Sequence, residues 1–435
     1  MIRILLAAIL ISAPAASQAL ATAPAPADTT ITAPSILGVA KALLGFMSTQ
    51  VSTPEDSLAV KIMQQSIGAA EAGDMDSAIT PIKDAAIGAA GSLNIPDELK
   101  GAIPESLQGL IGSGAGTANG TSAAQPLPKG TDTSFISRMN PQTFFLNVPA
   151  ANYSGITALQ LEGLEGDFLL VDDKSETEGF RRIRLTFDEQ GQIVSAADKG
   201  FTKASTGATS TDGEGIVYDP RRGTVLISRE ATNEIIELGL DGKSTGRYLH
   251  TASYFPKNGN AGLESLTYSN GTGRFWTTTE GVPEGEEYLR IQSYAPYFWP
   301  LGHWFYKLDK PEVKNPGAIY VYGVSELCAL PDGSLLVLER EANIPGTSIK
   351  EAAGASVACK LYLVQPHAAR RGKLLEKHLL TRIDTGILDL SFANYEGMCL
   401  GPKLPDGGQV LILVADSQAG YKGVLRDWFK TIVLK

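Results

Sequence analysis

Four glutamates recur along this chain at the start of short strand-like runs, and each run is followed by a second apolar run that ends in charged residues. Carboxylates gathered at one end of such runs repel one another unless a divalent cation, an arginine or raised pKa values neutralise them. A site made only of carboxylate oxygens favours a hard ion, Ca²⁺ more than Mg²⁺. The sequence therefore predicts a divalent-cation site formed by Glu214, Glu264, Glu326 and Glu396.

The charged ends of the second runs are the next candidates for chemistry. In an antiparallel hairpin the start of the first strand and the end of the second strand lie at the same end, so both sets should face one site. We expect Glu264 and Glu326 to act at the reacting centre, with Arg340 steadying a developing negative charge. The residues expected to bind substrate are Asp173, Lys174, Arg229, Glu280 and Asp416.

A second interpretation of the glutamates is structural. Each one would cap its repeat by accepting backbone hydrogen bonds from the neighbouring repeat, with no ligand involved. Convergence of the carboxylate oxygens on one point distinguishes a cation site from this capping role.

The sequence carries no other catalytic motif of the common kinds. It has no Gly-x-Ser-x-Gly nucleophile elbow, no phosphate-binding loop, no His-Glu-x-x-His and no Cys-x-x-Cys. The four histidines, His250, His303, His367 and His378, all lie outside the repeated motif. The carboxylates are therefore the main basis for a functional hypothesis.

The elements that must position these carboxylates repeat five times, at intervals of roughly 50 to 70 residues typical of repeat folds. Four copies open on the glutamates and the fifth on Ser154-Gly155, and turns such as Asp241-Gly242 mark the hairpins. The pattern predicts an all-β fold, a β-propeller of five blades. We expect Thr143 to Val148 to supply the strand that closes the ring. The long aromatic segment from Tyr288 to Tyr322 leaves a six-bladed alternative open.

Three further segments are expected before the propeller. Residues 1–21 have the basic, apolar and small-residue order of a signal peptide, and residues 31–111 have the apolar spacing of a small α-helical region. Residues 112–132 resemble a flexible Gly/Ser/Ala linker, which leaves 133–435 for the propeller. The signal-peptide order predicts an exported protein, periplasmic or secreted. No cysteine precedes Cys328, so we do not expect a lipoprotein.

Composition excludes some partners. The net charge is −10 with no basic stripe, which argues against nucleic acid. The apolar run near the N-terminus is too short to span a bilayer, so no transmembrane segment is expected. Three cysteines make a disulfide framework improbable. A small-molecule ester or phosphoester is the expected partner, and the sequence names no protein partner.

Several of the hairpin sequences are similar to one known family. The runs Asn-Tyr-Ser-Gly-Ile-Thr, Asp-Gly-Glu-Gly-Ile-Val-Tyr-Asp-Pro, Ser-Glu-Leu-Cys-Ala-Leu-Pro-Asp-Gly and Asn-Tyr-Glu-Gly-Met-Cys-Leu resemble the phytase-like domain family, described as having esterase-like activity, of exported bacterial proteins. The resemblance covers about residues 135 to 435 and implies a propeller with phosphoester or ester hydrolysis. The Asp-Asp-Pro-Ala signature of calcium-dependent propeller phytases and the Arg-His-Gly motif of histidine acid phosphatases are both absent, so the resemblance does not extend to phytate cleavage.

Together these observations predict an exported hydrolase of phosphate or carboxylic esters that acts at the mouth of a propeller channel with a divalent cation. The alternative is a non-catalytic propeller that binds a glycan, a peptide or an envelope partner.

Overall fold

The computed structural model of this protein describes residues 131–208, 212–251, 255, 262–295, 298–346, 351, 354–387, 391–420 and 425–435. The expected signal peptide, α-helical region and nearly all of the linker lie outside the described residues. Within the part of the chain that is described, no helix is long and apolar enough to cross a membrane.

The described chain forms twenty β-strands and two short 3₁₀ helices, Thr133–Phe135 and Ala368–Arg370. The strands are β1 (Ile136–Met139), β2 (Tyr153–Ala158), β3 (Asp167–Asp172), β4 (Gly179–Phe187), β5 (Ile193–Lys203), β6 (Gly213–Asp219), β7 (Thr224–Arg229), β8 (Glu234–Gly239), β9 (Ser244–His250), β10 (Leu263–Ser269), β11 (Arg274–Thr279), β12 (Leu289–Ala295), β13 (Trp299–Tyr306), β14 (Ile319–Ala329), β15 (Leu335–Ile344), β16 (Ser356–Val364), β17 (Lys377–Gly386), β18 (Asn394–Lys403), β19 (Gln409–Asp416) and β20 (Phe429–Leu434).

These strands form five antiparallel sheets of four strands, which are the blades of a β-propeller. Blades 1 to 4 contain β2–β5, β6–β9, β10–β13 and β14–β17, and blade 5 contains β18, β19, β20 and β1. The innermost strands β2, β6, β10, β14 and β18 neighbour one another in this order, and β18 returns to β2. The predicted five-bladed fold is confirmed. The segment from Tyr288 to Tyr322 supplies β12, β13 and the start of β14, so the six-bladed alternative is wrong.

The ring is closed by a strand from the N-terminal side of the propeller, but not by the segment that the sequence indicated. Strand β1 pairs with β20 as the outermost strand of blade 5. Of the predicted segment, Thr143 makes a single bridge to Phe429. Pro141 lacks an N–H and interrupts the ladder between β1 and Thr143, which explains why the regular strand ends at Met139.

The turns follow the predicted chemistry. Gly242, Gly333 and Gly407 each take a positive φ, from 78° to 91°, directly after an aspartate. Glycine adopts this left-handed conformation without steric cost, so the Asp-Gly pairs end one strand and begin the next.

The glycine that follows the opening glutamate has a packing role. A Cβ atom on Gly215 would lie closer than 3.0 Å to the backbone nitrogen of Leu266 in the next blade, and one on Gly155 would meet the backbone oxygen of Glu214. Adjacent innermost strands approach at these points too closely for any side chain. The repeated Glu-Gly pair thus reflects blade-to-blade packing as well as chemistry.

The apolar core lies between neighbouring blades. Residues of blades 1 and 5 form one buried cluster, and residues of blades 3 and 4 form another, in which Trp276 and Trp304 lie 5.3 Å apart between ring centroids. Cys328 and Cys399 are buried on innermost strands, as expected, and neither is in a disulfide. This packing fixes the strand ends that carry the charged residues.

Candidate functional site

Every innermost strand has a β-bulge at the same place in its blade, although β14 begins upstream of its bulge, at Ile319. In blade 3, for example, Leu263 pairs with Thr279 and Ser265 pairs with Thr278, which leaves Glu264 unpaired. A bulged residue leaves the ladder and is re-aimed, which is why bulges are frequent beside functional sites. The strand pairings place five residues at this bulge position: Ser154, Glu214, Glu264, Ser325 and Glu396.

Glu326 therefore lies one residue beyond the bulge position, and the alignment of Glu326 with the other three glutamates is wrong. The unpaired residue in blade 4 is Ser325, since Val324 pairs with Glu339 and Glu326 pairs with Leu338. Because successive residues of a strand point in opposite directions, a shift of one residue changes the direction of the side chain.

The contacts of Glu326 match the capping role. Its Oε1 accepts hydrogen bonds from the backbone N–H groups of Leu327, at 2.9 Å, and of Leu266 in the neighbouring blade, at 3.2 Å. Burial raises the pKa of Glu326 well above its usual range, and the two backbone hydrogen bonds act in the opposite direction. The structure places this residue apart from the metal and catalytic roles expected for it.

A second set of side chains stands opposite the opening residues, at the ends of the second strands. Backbone pairing defines this position on the second strands. Asp416 pairs with Asn394, and Arg340 pairs with Gly323. The Glu230 N–H donates to the Asp212 carbonyl in the same way. The five residues here are Asp173, Glu230, Glu280, Arg340 and Asp416.

We call the end of the ring that carries these residues the mouth. Among the residues that the structure describes, eight carboxylates lie at the mouth: Asp173, Asp212, Glu214, Glu230, Glu264, Glu280, Glu396 and Asp416.

Arg340 occupies one side of the mouth. Its guanidinium group forms ion pairs with Glu280 and Glu396, approaches Glu264 at 3.5 Å, and donates to the Asn394 side chain at 3.1 Å. Only 4% of Arg340 is exposed. The arginine thus joins blades 3, 4 and 5 and neutralises two glutamates, Glu264 and Glu396, that were expected to bind a metal.

The other side of the mouth is an acidic triad formed by Asp173, Asp212 and Glu214. One carboxylate oxygen from each residue lies within 4.8 Å of the others. Asp173 Oδ2 accepts from the exposed Lys174 ammonium group at 2.8 Å, whereas Oδ1 is buried and has no hydrogen-bond partner. A buried carboxylate oxygen without a donor is costly, and a cation bound between the three carboxylates would satisfy it.

Five carboxylic acids of the mouth have raised pKa values. Burial is the main cause that raises the pKa of Glu214, Glu264 and Asp416 well above the usual range, and neighbouring carboxylates raise it further. Burial also raises the pKa of Asp173 to about 6, against the opposing effect of Lys174, and raises that of Glu230 to about 7. A bound cation would have to displace these protons.

Arg229 does not face the mouth. It forms hydrogen bonds with Glu178 at 2.6 and 2.7 Å and an ion pair with Glu234 at 3.2 Å, which tie blade 2 to the loop before β4. Neighbouring residues alternate in direction, and the next residue, Glu230, is the one that faces the mouth. The sequence predicted Arg229 at this end of the blade, and the structure has Glu230 there instead.

Asp212 was also missed, although a signal for it exists. It lies two residues before Glu214 in Asp-Gly-Glu, and the period of two along a strand places such residues on the same side. Its positive φ of 51° places it in the turn that leads into β6, outside the strand that sequence patterns mark.

The triad offers the type of ligand atoms that a hard divalent cation binds. It offers only oxygen atoms, it combines a buried glutamate with two partly exposed aspartates, and one of its oxygens lacks a donor. Glu230 lies at the same mouth, and its Oε1 accepts from the Gly262 N–H at 3.2 Å. Cation binding and acid–base chemistry are thus available within one partly exposed mouth.

Comparison with solved structures finds distant likenesses. A chain of a nidogen/laminin complex has 11% identity and a TM-score of 0.32, covering 63% of this chain and 80% of its own length. Hydrazine synthase of Kuenenia stuttgartiensis has 10% identity and a TM-score of 0.34, covering 68% and 90%. The PQQ-bound aldose sugar dehydrogenase of Streptomyces coelicolor has 13% identity and a TM-score of 0.31, covering 70% and 84%. These low scores carry no argument about function.

None of the curated proteins matches the chain. The family comparison is specific: the profile described as "Phytase-like: Esterase-like activity of phytase" matches residues 149–418, from just before β2 to just after β19. This span includes all eight carboxylates of the mouth and Arg340. The chain therefore belongs to the phytase-like family whose domain is described by the esterase-like activity of phytase.

Proposed function

We propose that this protein is an exported hydrolase of phosphate or carboxylic esters that binds a divalent cation, Ca²⁺ rather than Mg²⁺, at the acidic triad. The observation that carries this proposal is the triad itself, in which Asp173, Asp212 and Glu214 converge and the buried Asp173 Oδ1 has no hydrogen-bond donor. Membership of the phytase-like family supports the hydrolytic class. The cation site predicted from four glutamates is thus relocated to one side of the mouth.

A cation held there would polarise the bond to be cleaved and lower the pKa of a water molecule. The protein's own groups supply the remaining functions. Glu230 is partly exposed at the end of β7, and its pKa of about 7 suits proton transfer near neutral pH. It would accept a proton from the attacking water and return it to the leaving oxygen, while the water oxygen forms the new bond to carbon or phosphorus.

Arg340 has a positioning role in this proposal. Its terminal nitrogens already bind Glu264, Glu280 and Glu396 from two blades, so they are not free to contact a substrate oxygen. By holding these three carboxylates, Arg340 keeps the mouth from spreading under their mutual repulsion.

Two measurements on the purified protein test the proposal. Ca²⁺ should raise the melting temperature, because a ligand that binds the folded state stabilises it, and it should support hydrolysis of a panel of esters. Glu214→Gln should weaken both responses, whereas the exposed Glu189→Gln, a matched change outside the mouth, should alter neither. Cation binding without hydrolysis of any ester would instead favour the non-catalytic binding propeller, and no response to any divalent cation would refute the site.

A further inference from the structure

A cavity of about 180 Å³ lies between the outer parts of blades 1 and 2. Two residues that line it, Leu159 and Leu164, follow the end of β2, whereas the mouth lies where β2 begins. Leu240 of blade 2 contributes from the turn after β8. The cavity is therefore separate from the mouth, and the proposed hydrolysis does not use it.

The inner wall of this cavity is apolar. Leu159, Leu169 and Phe180 line it, and each is at most 3% exposed. Walls of this kind favour an apolar guest, because a polar guest would lose its hydrogen bonds to water without replacement. A cavity of about 150 Å³ with aliphatic and aromatic walls can hold a benzene ring. The space between blades 1 and 2 thus has room for one ring or a short branched chain.

A β-bulge in the outermost strand β5 forms the entrance. Lys199 and Gly200 stand opposite the single residue Arg182, and all three line the cavity. Gly200 has a φ of 97°, and a Cβ atom there would meet nothing within 4 Å, so the entrance is open at this point. Bulges are frequent beside active sites, because they redirect side chains out of the ladder.

The entrance carries positive charge. Arg182 and Lys199 line the cavity, and no carboxylate does so among the residues that the structure describes. Arg182 pairs with Asp167, but this buried carboxylate also pairs with Arg184. One carboxylate is therefore shared by two guanidinium groups, and Lys199 adds a further positive charge.

The nearby carboxylates leave one positive charge uncompensated. Asp198, beside Lys199, forms an ion pair with Arg181 at 2.8 Å. The exposed Glu165 interacts electrostatically with Arg184. The four cations around the entrance thus face three carboxylates, and Lys199 is exposed and forms no ion pair within the described chain. A ligand with a single negative charge would complete the charge balance.

We infer that this cavity binds a small organic carboxylate, whose single ring or short branched chain fills the apolar part while its carboxylate group meets Lys199 and Arg182 at the entrance. An inorganic anion would leave the apolar wall without contacts, and a hydrocarbon would leave the charge at the entrance uncompensated. The inference goes beyond the proposed hydrolysis and does not depend on it.

Benzoate, benzamide and benzamidine test the inference, because they share a ring and carry a negative charge, no charge and a positive charge. Ligand-detected NMR titrations of the purified full chain measure binding, with EDTA present so that no divalent cation at the mouth attracts the anion. We expect benzoate to bind with a Kd of about 1 mM, as is usual for so small a ligand. Benzamide should bind about 10-fold more weakly and benzamidine not at all.

A change of charge at the entrance locates the binding. Lys199→Gln should weaken benzoate binding by about 3- to 10-fold and leave benzamide binding nearly unchanged, because it alters an exposed charge and not the apolar wall. The matched control Lys403→Gln, at an exposed lysine of blade 5, should affect neither compound. Leu164→Trp should abolish binding of both by filling the cavity, and Lys199→Gln tests the site even if that larger change prevents folding.

Two results would overturn the inference. One is no binding of benzoate at about 10 mM, well above the expected Kd. The other is benzoate binding that equals that of benzamidine or that Lys199→Gln leaves unchanged. Neither result bears on Ca²⁺ binding or ester hydrolysis at the mouth, which are measured separately, so failure of the inference and failure of the proposed function are distinguishable.

Discussion

Replacement of Arg340 by methionine removes the cation that joins blades 3, 4 and 5 at the mouth. Arg340 is 4% exposed and holds Glu264, Glu280 and Glu396. Methionine fills much of the volume, so the loss is mainly electrostatic. Removal of one partner from a buried ion pair typically costs about 3–5 kcal/mol, because the remaining charges stay buried and uncompensated.

The carboxylates that remain can be neutralised by protons, which predicts a recovery at lower pH. We therefore expect Arg340→Met, in the absence of Ca²⁺, to lower the free energy of unfolding by about 3–5 kcal/mol at about pH 8 and by less at about pH 5.

Urea denaturation followed by circular dichroism measures this difference. The matched control is Arg370→Met, which breaks an exposed ion pair with Glu376 whose side chains are 53% and 75% exposed. Exposed pairs contribute at most about 1 kcal/mol. If the two variants lose the same small amount at about pH 8, the arginine does not hold the mouth together and the reasoning fails.

Four further predictions concern the mouth and the ring. Without a cation, the free energy of unfolding should fall as the pH rises above about 4, the pKa of these carboxylic acids in the unfolded chain. The fall should continue through the folded-state pKa values, about 6 for Asp173 and about 7 for Glu230. The reason is that the folded state holds protons that the unfolded state has released. Stabilisation by Ca²⁺ should accordingly be larger at about pH 8 than at about pH 5 in thermal melts, and an equal effect at both would refute the competition with protons. Glu326→Gln should leave the Ca²⁺ response and any hydrolysis intact and change the free energy of unfolding by less than about 1 kcal/mol, since the amide oxygen can accept the same two backbone hydrogen bonds. A lost Ca²⁺ response would return Glu326 to the cation site. Gly215→Ala should destabilise the protein by about 1–3 kcal/mol or more, because the added Cβ meets the neighbouring blade, whereas Gly281→Ala, where a Cβ meets nothing within 4 Å, should change little in the same urea assay.

Much of the fold could be read from local chemistry. The Asp-Gly turns at Gly242, Gly333 and Gly407 and the alternating apolar runs mark hairpins, and their repetition marks blades. The closing strand could not be located in this way. Strand β1 is four residues long, with only partly buried residues on its inner side, so its local pattern is weaker than that of the apolar segment that follows Pro141.

The candidate site was predictable at the level of the strand ends and not at the level of single residues. The hairpin argument brings Glu214, Asp173 and Glu280 to one end, and the structure confirms that placement. It does not reveal that the bulge in blade 4 falls on Ser325, since a bulge moves the register by one residue without a mark in the apolar pattern.

Residues with several charged neighbours were hardest to assign. Arg229 and Arg340 both lie on second strands, yet Arg229 pairs with Glu178 of blade 1 and Arg340 pairs with Glu396 at the mouth. Their different partners come from residues far apart in sequence, such as Glu178 and Glu396, which only the closed ring brings within reach.

Calorimetric titration of Ca²⁺ into the purified protein tests the location of the cation most directly. We predict saturable binding that is lost or strongly weakened in Asp212→Asn and Glu214→Gln, and retained in Glu326→Gln and in the exposed Glu189→Gln. Asp212 is the decisive position, because only the folded triad, and not the repeated glutamates, implicates it. Unchanged Ca²⁺ binding in Asp212→Asn and Glu214→Gln, or binding that depends on Glu326, would contradict a cation site at the triad.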